Sequence, residues 1–564
     1  MVTVRRGTVR PQRNRGRSLH PHLPDPTPPH AFGFALCRCR GRVRAVVAVS
    51  VSYLRPPERG LAVLWSGIVA FGVAAGLFVS FLAALGRSGP RQGATADQRH
   101  SSDDAGADVG PSERFFTAGR EIGAVAGGVS LAATQVSAGT LVGAVGLHYA
   151  FGFGFVWTWV GIWLGWVVSA TFVAPQLRAR DGYTVPDFLA ERFADGRQTI
   201  RVASAVVIAV VYLVFLTAQY VAGGVVLEAV AGVNRLTGAA LVAVTAAAYT
   251  VLGGVRTSVY TDALQVATLV AGIGAVLAVG LPSAGGIGGL NARLAAADPA
   301  LVAPVTAPVE VGGLAVAFGL GIVVAPYELS RTYAMRDPST VRRAIALSVP
   351  LQAVVAVGIA LVGLLARVER PGLSSPDAAV PALVTETFGP VAGGALVLAV
   401  LAAILSTADS VLVVSAAAVA HDLYEEALPA LGVADRPSDR QVLRVARATT
   451  VAVALVPVGL TTVSGLLGTL VELIVALAAA LLAGALFVPT VAGLYWPRAT
   501  VRGAVAGVVA GPVAVATWHA LTVSSTPLVG LATLDPVVPG LASSAVATVG
   551  GSLLDGPNAD AAPA

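Results

Sequence analysis

A short stretch near residue 400 places four polar side chains inside an otherwise apolar run. From Ala402 it reads AAILSTADSVLVVSAAAVAHDLY, and the polar residues are Ser406, Thr407, Asp409 and Ser410. On a helix, Ser406, Asp409 and Ser410 share one face, and the remaining threonine lies about 100° round from the first serine. Such hydroxyls, with backbone carbonyls of an interrupted neighbouring helix, would form an oxygen-only cage for a hard cation such as sodium. The alternative is structural: the hydroxyls bond back to their own helix, and the aspartate pairs with a neighbour.

Composition indicates the class of protein in which these residues act. The 564-residue chain is 55% hydrophobic and 12% charged, whereas soluble domains contain about 25% charged residues. An all-α polytopic protein of the lipid bilayer is therefore predicted. All 37 basic residues are arginine, and twelve of them lie in residues 1–60. The remainder of the chain is slightly acidic, so a nucleic-acid partner is not expected. No P-loop, GxSxG or HExxH motif occurs in the sequence, which argues against an ATP-driven pump and against a hydrolytic enzyme.

Thirteen apolar stretches are long enough to cross a bilayer as helices, which takes about 20 residues each. They are residues 62–85, 122–147, 153–175, 200–231, 238–255, 260–281, 311–333, 344–366, 389–420, 443–463, 467–494, 503–521 and 536–554. With the N-terminus outside and the C-terminus in the cytoplasm, twenty-one arginines fall in inside loops and four in outside loops. The positive-inside rule favours this orientation.

The two ends of the chain differ from the predicted transmembrane domain at residues 61–555. Residues 1–60 are rich in arginine and proline, and the predicted topology would put their twelve arginines on the unfavourable outer side. We interpret this segment as a basic extension that is either disordered or an incorrectly assigned start of the chain. Residues 556–564 are expected to form a disordered tail.

The second and seventh predicted spans carry helix-weakening residues beside polar ones. These residues are Gly127, Gly128, Gly139, Gly143 and Gly146 in span two, and Gly319, Gly321 and Pro326 in span seven. Interrupted spans at equivalent places in two halves of a chain point to the binding site of a secondary transporter. Because the two spans are five apart, each is expected to open a five-helix repeat, at about residues 122–281 and 311–494. The alternative is that the small residues serve close packing between helices.

The stretch STADSVLVVSAAAVAHDLY resembles the eighth-core-helix motif of the sodium/solute symporter family, which includes proline, sodium/glucose and pantothenate transporters. Four further stretches agree in order and spacing: FFTAGREIG, GYTVPDFLAERF, YTVLGGVRTSVYTDALQ and GLYWPRATVRGAVAGVVAG. The resemblance covers about residues 62–554. It implies the leucine-transporter-type fold, an inverted five-plus-five repeat in spans two to eleven, with one helix before it and two after it.

The resemblance also implies a sodium site between the first and eighth core helices. Its expected ligands are the carbonyls of Ala133, Val136 and Ala403 and the hydroxyls of Ser406 and Thr407. An aspartate that matters for sodium in the family falls on Asp262, which with Asp409 would line the sodium pathway. A helix-capping role is the alternative for Asp262. Sodium is the metal expected, as a coupling ion, and no cofactor is expected.

The solute site is less determined by the resemblance. By position, Gln135, Thr140 and Tyr327 are the expected solute-binding residues. Proline transporters carry an acidic residue where this chain has Gln135, so proline is not favoured as the solute. Glu328 lies within a predicted span, and we expect it to pair with Arg331 three residues further on.

The residues and the resemblance together predict sodium-coupled import of a small organic solute across the plasma membrane. Two alternatives use the same fold. Proton coupling would use Asp409, Glu328 or Asp262 as the proton carrier. A sensor derived from a transporter is disfavoured, because about ten residues follow the last predicted span, too few for a signalling domain.

Overall fold

The computed structural model describes residues 111–180, 182–194, 198–383, 390–468, 470–523 and 534–555. Within these ranges the chain is helical and contains no β-strand, apart from one isolated bridge between Ile122 and Met335. Residues 1–60, the first predicted span at 62–85 and the tail at 556–564 lie outside the described residues.

Thirteen helices, α1 to α13, form the body of the described chain. In order they are Ala124–Gln135, 138–151, 156–178, Thr199–Ala231, Arg235–Ser283, Pro308–Val324, Pro326–Tyr333, Pro338–Glu369, Pro390–Ala417, Asp439–Leu460, Val471–Tyr495, Val501–Val523 and Val537–Asp555. The ninth helix continues as a π-helix through Ala418–Ala427. Shorter helices are Pro111–Thr117, Ala118–Arg120, Gly152–Phe155, Val185–Arg192, Gly286–Ala297, Pro299–Val302, Pro376–Ala378, Ala379–Ala382, Leu428–Ala430 and Thr461–Leu466.

Ten continuous helical stretches of the described chain are long and apolar enough to cross a membrane. Two of them, Gly139–Arg178 and Arg235–Ser283, contain 40 and 49 residues. At about 1.5 Å per residue, each is about twice as long as the hydrocarbon core of a bilayer, which is about 30 Å thick. Each is also bent at a glycine with a positive φ angle, Gly152 (φ 70°) and Gly254 (φ 56°). Each stretch therefore contributes to two crossings, the first stretch together with the preceding helix α1, and helices cover all twelve predicted spans from 122–147 onward.

Two of the spanning segments are interrupted. The first breaks between α1 and α2, where Val136 has the extended angles φ −87° and ψ 99°. The second breaks between α6 and α7 at Ala325 (φ −60°, ψ 112°), directly before Pro326. Proline disfavours helical geometry in the residue that precedes it, which explains the position of the second break. The interruptions thus fall in the two spans for which the sequence predicts them.

Close glycine packing holds α3 against α6. A Cβ atom on Gly165 would lie 2.2 Å from the carbonyl oxygen of Gly319, and a Cβ atom on Gly161 would lie 2.4 Å from that of Ala315. Gly319, which the sequence suggested as part of the break, therefore serves close helix packing. The contact fixes the two helices that form one wall of the cavity described below.

The ninth helix is the central element of the described chain. In the stretch Gly393–Ala430, 83% of the apolar 18-residue segment is buried inside the protein. The corresponding share in Asp439–Leu466 is 22%. The helix packs along the second half of α5, where a Cβ atom on Gly272 would lie 2.6 Å from the carbonyl oxygen of Ala395. Polar residues of α9 consequently face protein rather than lipid.

Candidate sodium and solute sites

The break after α1 lies against the hydroxyl of Thr407 on α9. The Thr407 Oγ1 atom donates to the carbonyl oxygen of Thr134 at 3.0 Å and is 3.4 Å from that of Val136. These carbonyls are available because α1 ends at Gln135 and leaves its last carbonyl groups without helical partners. Thr407 is fully buried. The structure thus brings together a carbonyl and a hydroxyl that were predicted to share a sodium ion.

The other predicted sodium ligands lie around this contact. The Ala133 carbonyl accepts the backbone N–H of Val136 at 3.2 Å, within the last turn of α1. Ala403 is buried one turn before Thr407 on α9. Ser406 is buried beside it but donates its hydroxyl to Asp262 Oδ1 at 2.7 Å. Ser406 therefore links the predicted cage directly to the predicted sodium pathway.

A buried cluster of two carboxylates and one guanidinium lies behind the cage. Arg331 on α7 places Nη2 at 3.7 Å from Asp262 Oδ2 on α5 and at 3.6 Å from Asp409 Oδ1 on α9. The same nitrogen donates to the hydroxyls of Ser258 and Ser410. The three charged side chains are at most 1% exposed. If both acids are ionised, the cluster has a net charge of −1, which an additional cation would neutralise.

This cluster corrects one sequence prediction and excludes one alternative. Glu328 does not pair with Arg331: no partner within hydrogen-bonding distance is found for either of its carboxylate oxygens among the described residues. The guanidinium instead reaches across to α5 and α9, where two carboxylates and two hydroxyls meet it. The capping alternative for Asp262 does not hold, because Asp262 lies eight residues beyond the bend at Gly254, inside the second half of α5. There it accepts hydrogen bonds from Ser130 and Ser406.

The three predicted solute residues line one cavity between the two breaks. The cavity is bounded by Gln135, Ser137, Thr140, Phe155, Thr158, Trp159, Ile162, Phe215, Phe318, Gly321, Ile322, Ala325, Tyr327, Glu472, Val475, Ala479 and Leu482. Gln135 Oε1 has no hydrogen-bond partner among the described residues and is free to bind a solute. Thr140 has a second role, since its hydroxyl accepts the Ser137 N–H at 3.1 Å and lies 3.3 Å from the Gln135 carbonyl oxygen. It thereby satisfies backbone groups that the break exposes.

Two side chains of α4 stabilise the breaks, and the sequence reasoning did not identify them. Gln219 Oε1 accepts the Ala138 N–H at 2.9 Å, at the start of α2. Tyr212 accepts the Tyr327 N–H at 2.8 Å, at the start of α7. Unpaired backbone groups are costly in a membrane, so these bonds stabilise both interruptions. The sequence does contain a signal for them: Tyr212 and Gln219 are seven residues apart, so these two polar side chains lie on one face of an apolar helix.

A second buried charged cluster joins the short helix Val185–Arg192 to α4 and the π-helix Ala418–Ala427. Asp187 accepts from Arg201, and both of its oxygens lie 3.1 Å from His421 Nε2. Arg201 also lies 3.2 Å from Asp422. Burial by itself raises the pKa of the Asp187 carboxyl, but His421 and Arg201 outweigh it and hold that pKa well below its usual range. Asp187 is therefore ionised at neutral pH.

Comparisons with known proteins agree with this geometry. The chain is 29% identical over 415 residues to the high-affinity proline transporter PutP of Bacillus subtilis, covering 72% of this chain and 86% of that protein. It is 28% identical over 456 residues to the sodium/pantothenate symporter of Escherichia coli, covering 78% of this chain and 89% of that protein. These relatives are transporters, so the prediction of a transporter rather than an enzyme is confirmed.

Solved structures confirm the predicted leucine-transporter-type fold. A Na⁺-coupled sialic acid symporter, solved in a substrate-bound outward-open state, has a TM-score of 0.68 at 19% identity and covers 87% of this chain and 98% of its own. MhsT, solved in complex with L-phenylalanine, has a TM-score of 0.50 at 15% identity and covers 77% and 99%.

The family model matches most of the chain. The model described as the sodium:solute symporter family matches residues 115–511, which include both breaks, α9 and the cavity. With the many apolar helices, this match also establishes a multi-pass membrane protein. The chain therefore belongs to the sodium:solute symporter family.

Proposed function

We propose that this protein is a sodium-coupled symporter that imports a small organic solute across the plasma membrane, with its N-terminus outside and its C-terminus in the cytoplasm. The observation that carries the proposal is the contact of Thr407 with the carbonyl groups exposed where α1 ends. It joins the opening helix of the first repeat to a central helix of the second. A sodium ion bound there would hold the two repeats in one relative position.

Sodium has five oxygen ligands in this proposal. The carbonyls of Ala133, Val136 and Ala403 and the hydroxyls of Ser406 and Thr407 supply them. With both acids ionised, the cluster formed by Asp262, Arg331 and Asp409 attracts the cation, and it lies one hydrogen bond away through Ser406. No cofactor takes part.

Coupling follows from the position of the solute cavity beside the same break. Gln135 and Thr140 lie within a few residues of the Val136 carbonyl, and all three belong to the interrupted segment. Sodium that orders this segment also orders the solute-binding residues. By linkage, sodium and solute must then raise each other's affinity by the same factor. A membrane potential of about 100 mV contributes about 2.3 kcal/mol for each charge that crosses.

Replacing Thr407 with alanine is expected to lower the apparent sodium affinity at least about tenfold, or about 1.4 kcal/mol. The change removes one oxygen ligand and leaves α9 intact. The measurement is a sodium titration of the thermal stability of purified protein, with potassium as the comparison cation at constant ionic strength.

Ser415→Ala is the matched control for this experiment. Ser415 is also a buried hydroxyl on α9, but it donates to the Val411 carbonyl of its own helix at 2.8 Å. Its removal should leave sodium affinity unchanged. An unaltered sodium response in both Thr407→Ala and Ser406→Ala would reject the site. A response to pH with no response to sodium would favour proton coupling instead.

A further inference from the structure

A buried glutamate in the solute cavity is left unexplained by sodium binding. Glu472 is the second residue of α11, lies in an apolar run, is 5% exposed and lines the cavity. Its Oε2 atom has no hydrogen-bond partner among the described residues. A buried carboxylate is costly unless it is paired, and acidic residues inside membrane spans usually mark substrate or ion pathways.

Glycines on α2 make room for this side chain. A Cβ atom on Gly139 would lie 2.6 Å from Glu472 Oε2, and a Cβ atom on Gly143 would lie 2.6 Å from the Glu472 backbone nitrogen. A larger residue at Gly139 would force the carboxylate away, and one at Gly143 would push back the start of α11 itself. The close approach therefore places Glu472 directly beside the first break.

A second acid continues the same face toward the loop between α8 and α9. A Cβ atom on Gly146, one turn beyond Gly143, would lie 3.2 Å from the Asp377 backbone nitrogen. Asp377 Oδ2 accepts the Val471 N–H at 3.0 Å, while Oδ1 has no hydrogen-bond partner among the described residues. Burial raises the pKa of Asp377 to about 6. Two acids thus follow one another along the glycine face of α2.

The rest of the cavity lining favours a cation as well. None of the described residues that line the cavity is basic, so an anionic solute would find no opposite charge there. Aromatic side chains at Trp159, Phe215 and Tyr327 form much of the wall, and aromatic faces attract cations. The unpaired oxygens of Gln135 and Glu472 require hydrogen-bond donors.

We propose that Glu472 binds a positively charged nitrogen of the transported solute, which is therefore a small organic amine with an apolar body. This inference rests on the proposed function, because it identifies the solute class of the same cavity. The ammonium group supplies the positive charge that the lining lacks, and its N–H groups can donate to the unpaired oxygens of Gln135 and Glu472. The apolar body packs against the aromatic wall.

Three probes with the same ring and different charge test the proposal: cyclohexylamine, cyclohexanol and cyclohexanecarboxylate. Purified full-length protein in sodium buffer is titrated with each, and thermal stability is measured. The amine should stabilise the protein, and the alcohol and the acid should not. In Glu472→Gln the amine concentration for half-maximal stabilisation should rise at least tenfold. Glu472→Asp should give an intermediate value, because aspartate keeps the negative charge but its shorter side chain holds that charge farther from the solute.

Glu310→Gln is the matched control, since Glu310 is exposed at the start of α6 and does not line the cavity. It should bind the amine as the unaltered protein does. A sodium titration of each variant shows that the sodium site is intact and tests the proposed function separately. Equal stabilisation by the three probes, no stabilisation by the amine, or unchanged amine affinity in Glu472→Gln would overturn the amine proposal. A lost sodium response with intact amine binding would overturn sodium coupling alone.

Discussion

Replacing Arg331 with methionine is expected to destabilise the protein by about 3–5 kcal/mol, because removing one partner of a buried ionic cluster leaves the opposite charges uncompensated. In this chain the guanidinium lies between two carboxylates, Asp262 and Asp409. Methionine keeps the length and the apolar stem of the arginine side chain and removes the charge and the hydrogen-bond donors of the guanidinium group. Thermal unfolding of purified protein measures the loss.

Sodium gives this prediction a more specific readout. In Arg331→Met the ion can take the place of the guanidinium between the two carboxylates. The gain in thermal stability on replacing potassium with sodium should therefore be larger for the variant than for the unaltered protein. Combining Arg331→Met with Asp409→Asn removes one uncompensated charge and should recover part of the lost stability.

An exposed arginine provides the control for the loss of charge. Arg343 lies on the exposed surface of α8, and Arg343→Met should change stability by less than about 0.5 kcal/mol. If Arg331→Met were as stable as Arg343→Met, the buried cluster would not have the charges assigned to it. An unchanged response to sodium would show that the ion does not reach these carboxylates.

Asp187→Asn is expected to have a comparably large effect, about 3 kcal/mol of stability, and Asp187 does not line the solute cavity. The substitution keeps the shape of the side chain but removes the charge that faces Arg201 and His421. These contacts join the helix Val185–Arg192 to α4 and to the π-helix Ala418–Ala427, so their loss should loosen that junction. The melting temperature of purified protein reports the change.

Glu191 on the same short helix is the matched comparison. It pairs with Arg180 at 3.0 Å, but its side chain is 53% exposed. Exposed ion pairs contribute about 0–1 kcal/mol, so Glu191→Gln should be nearly silent. Equal melting temperatures for Asp187→Asn and Glu191→Gln would contradict the prediction.

The pH dependence of the Asp187 effect follows from the direction of its pKa shift. Because the folded-state pKa lies below the usual carboxyl value, the stabilisation is fully present above the unfolded pKa of about 3.9. It is lost as the pH falls through the lower folded value. The stabilisation that comes from the Asp187 charge should therefore persist into mildly acidic pH and be lost only in strong acid.

The sequence alone determined the membrane class, twelve described crossings, the two interrupted spans and the family. The crossings could be predicted because a bilayer requires about 20 apolar residues in each helix, which is a local property of the chain. The break before Pro326 is local too, since proline constrains the residue before it. The family followed from motifs whose order and spacing are preserved along the chain.

The tertiary structure decided which polar groups meet. Arg331 has Glu328 three residues away, yet it contacts Asp262 and Asp409, more than sixty residues away in either direction. Gln219 and Tyr212 satisfy backbone groups that belong to other helices. Glu472 faces the solute cavity because glycines on α2 leave space for it. Sequence spacing gives the face of one helix, but the rotation and approach of its neighbours come from packing across the whole bundle, and these determine each charge's partner.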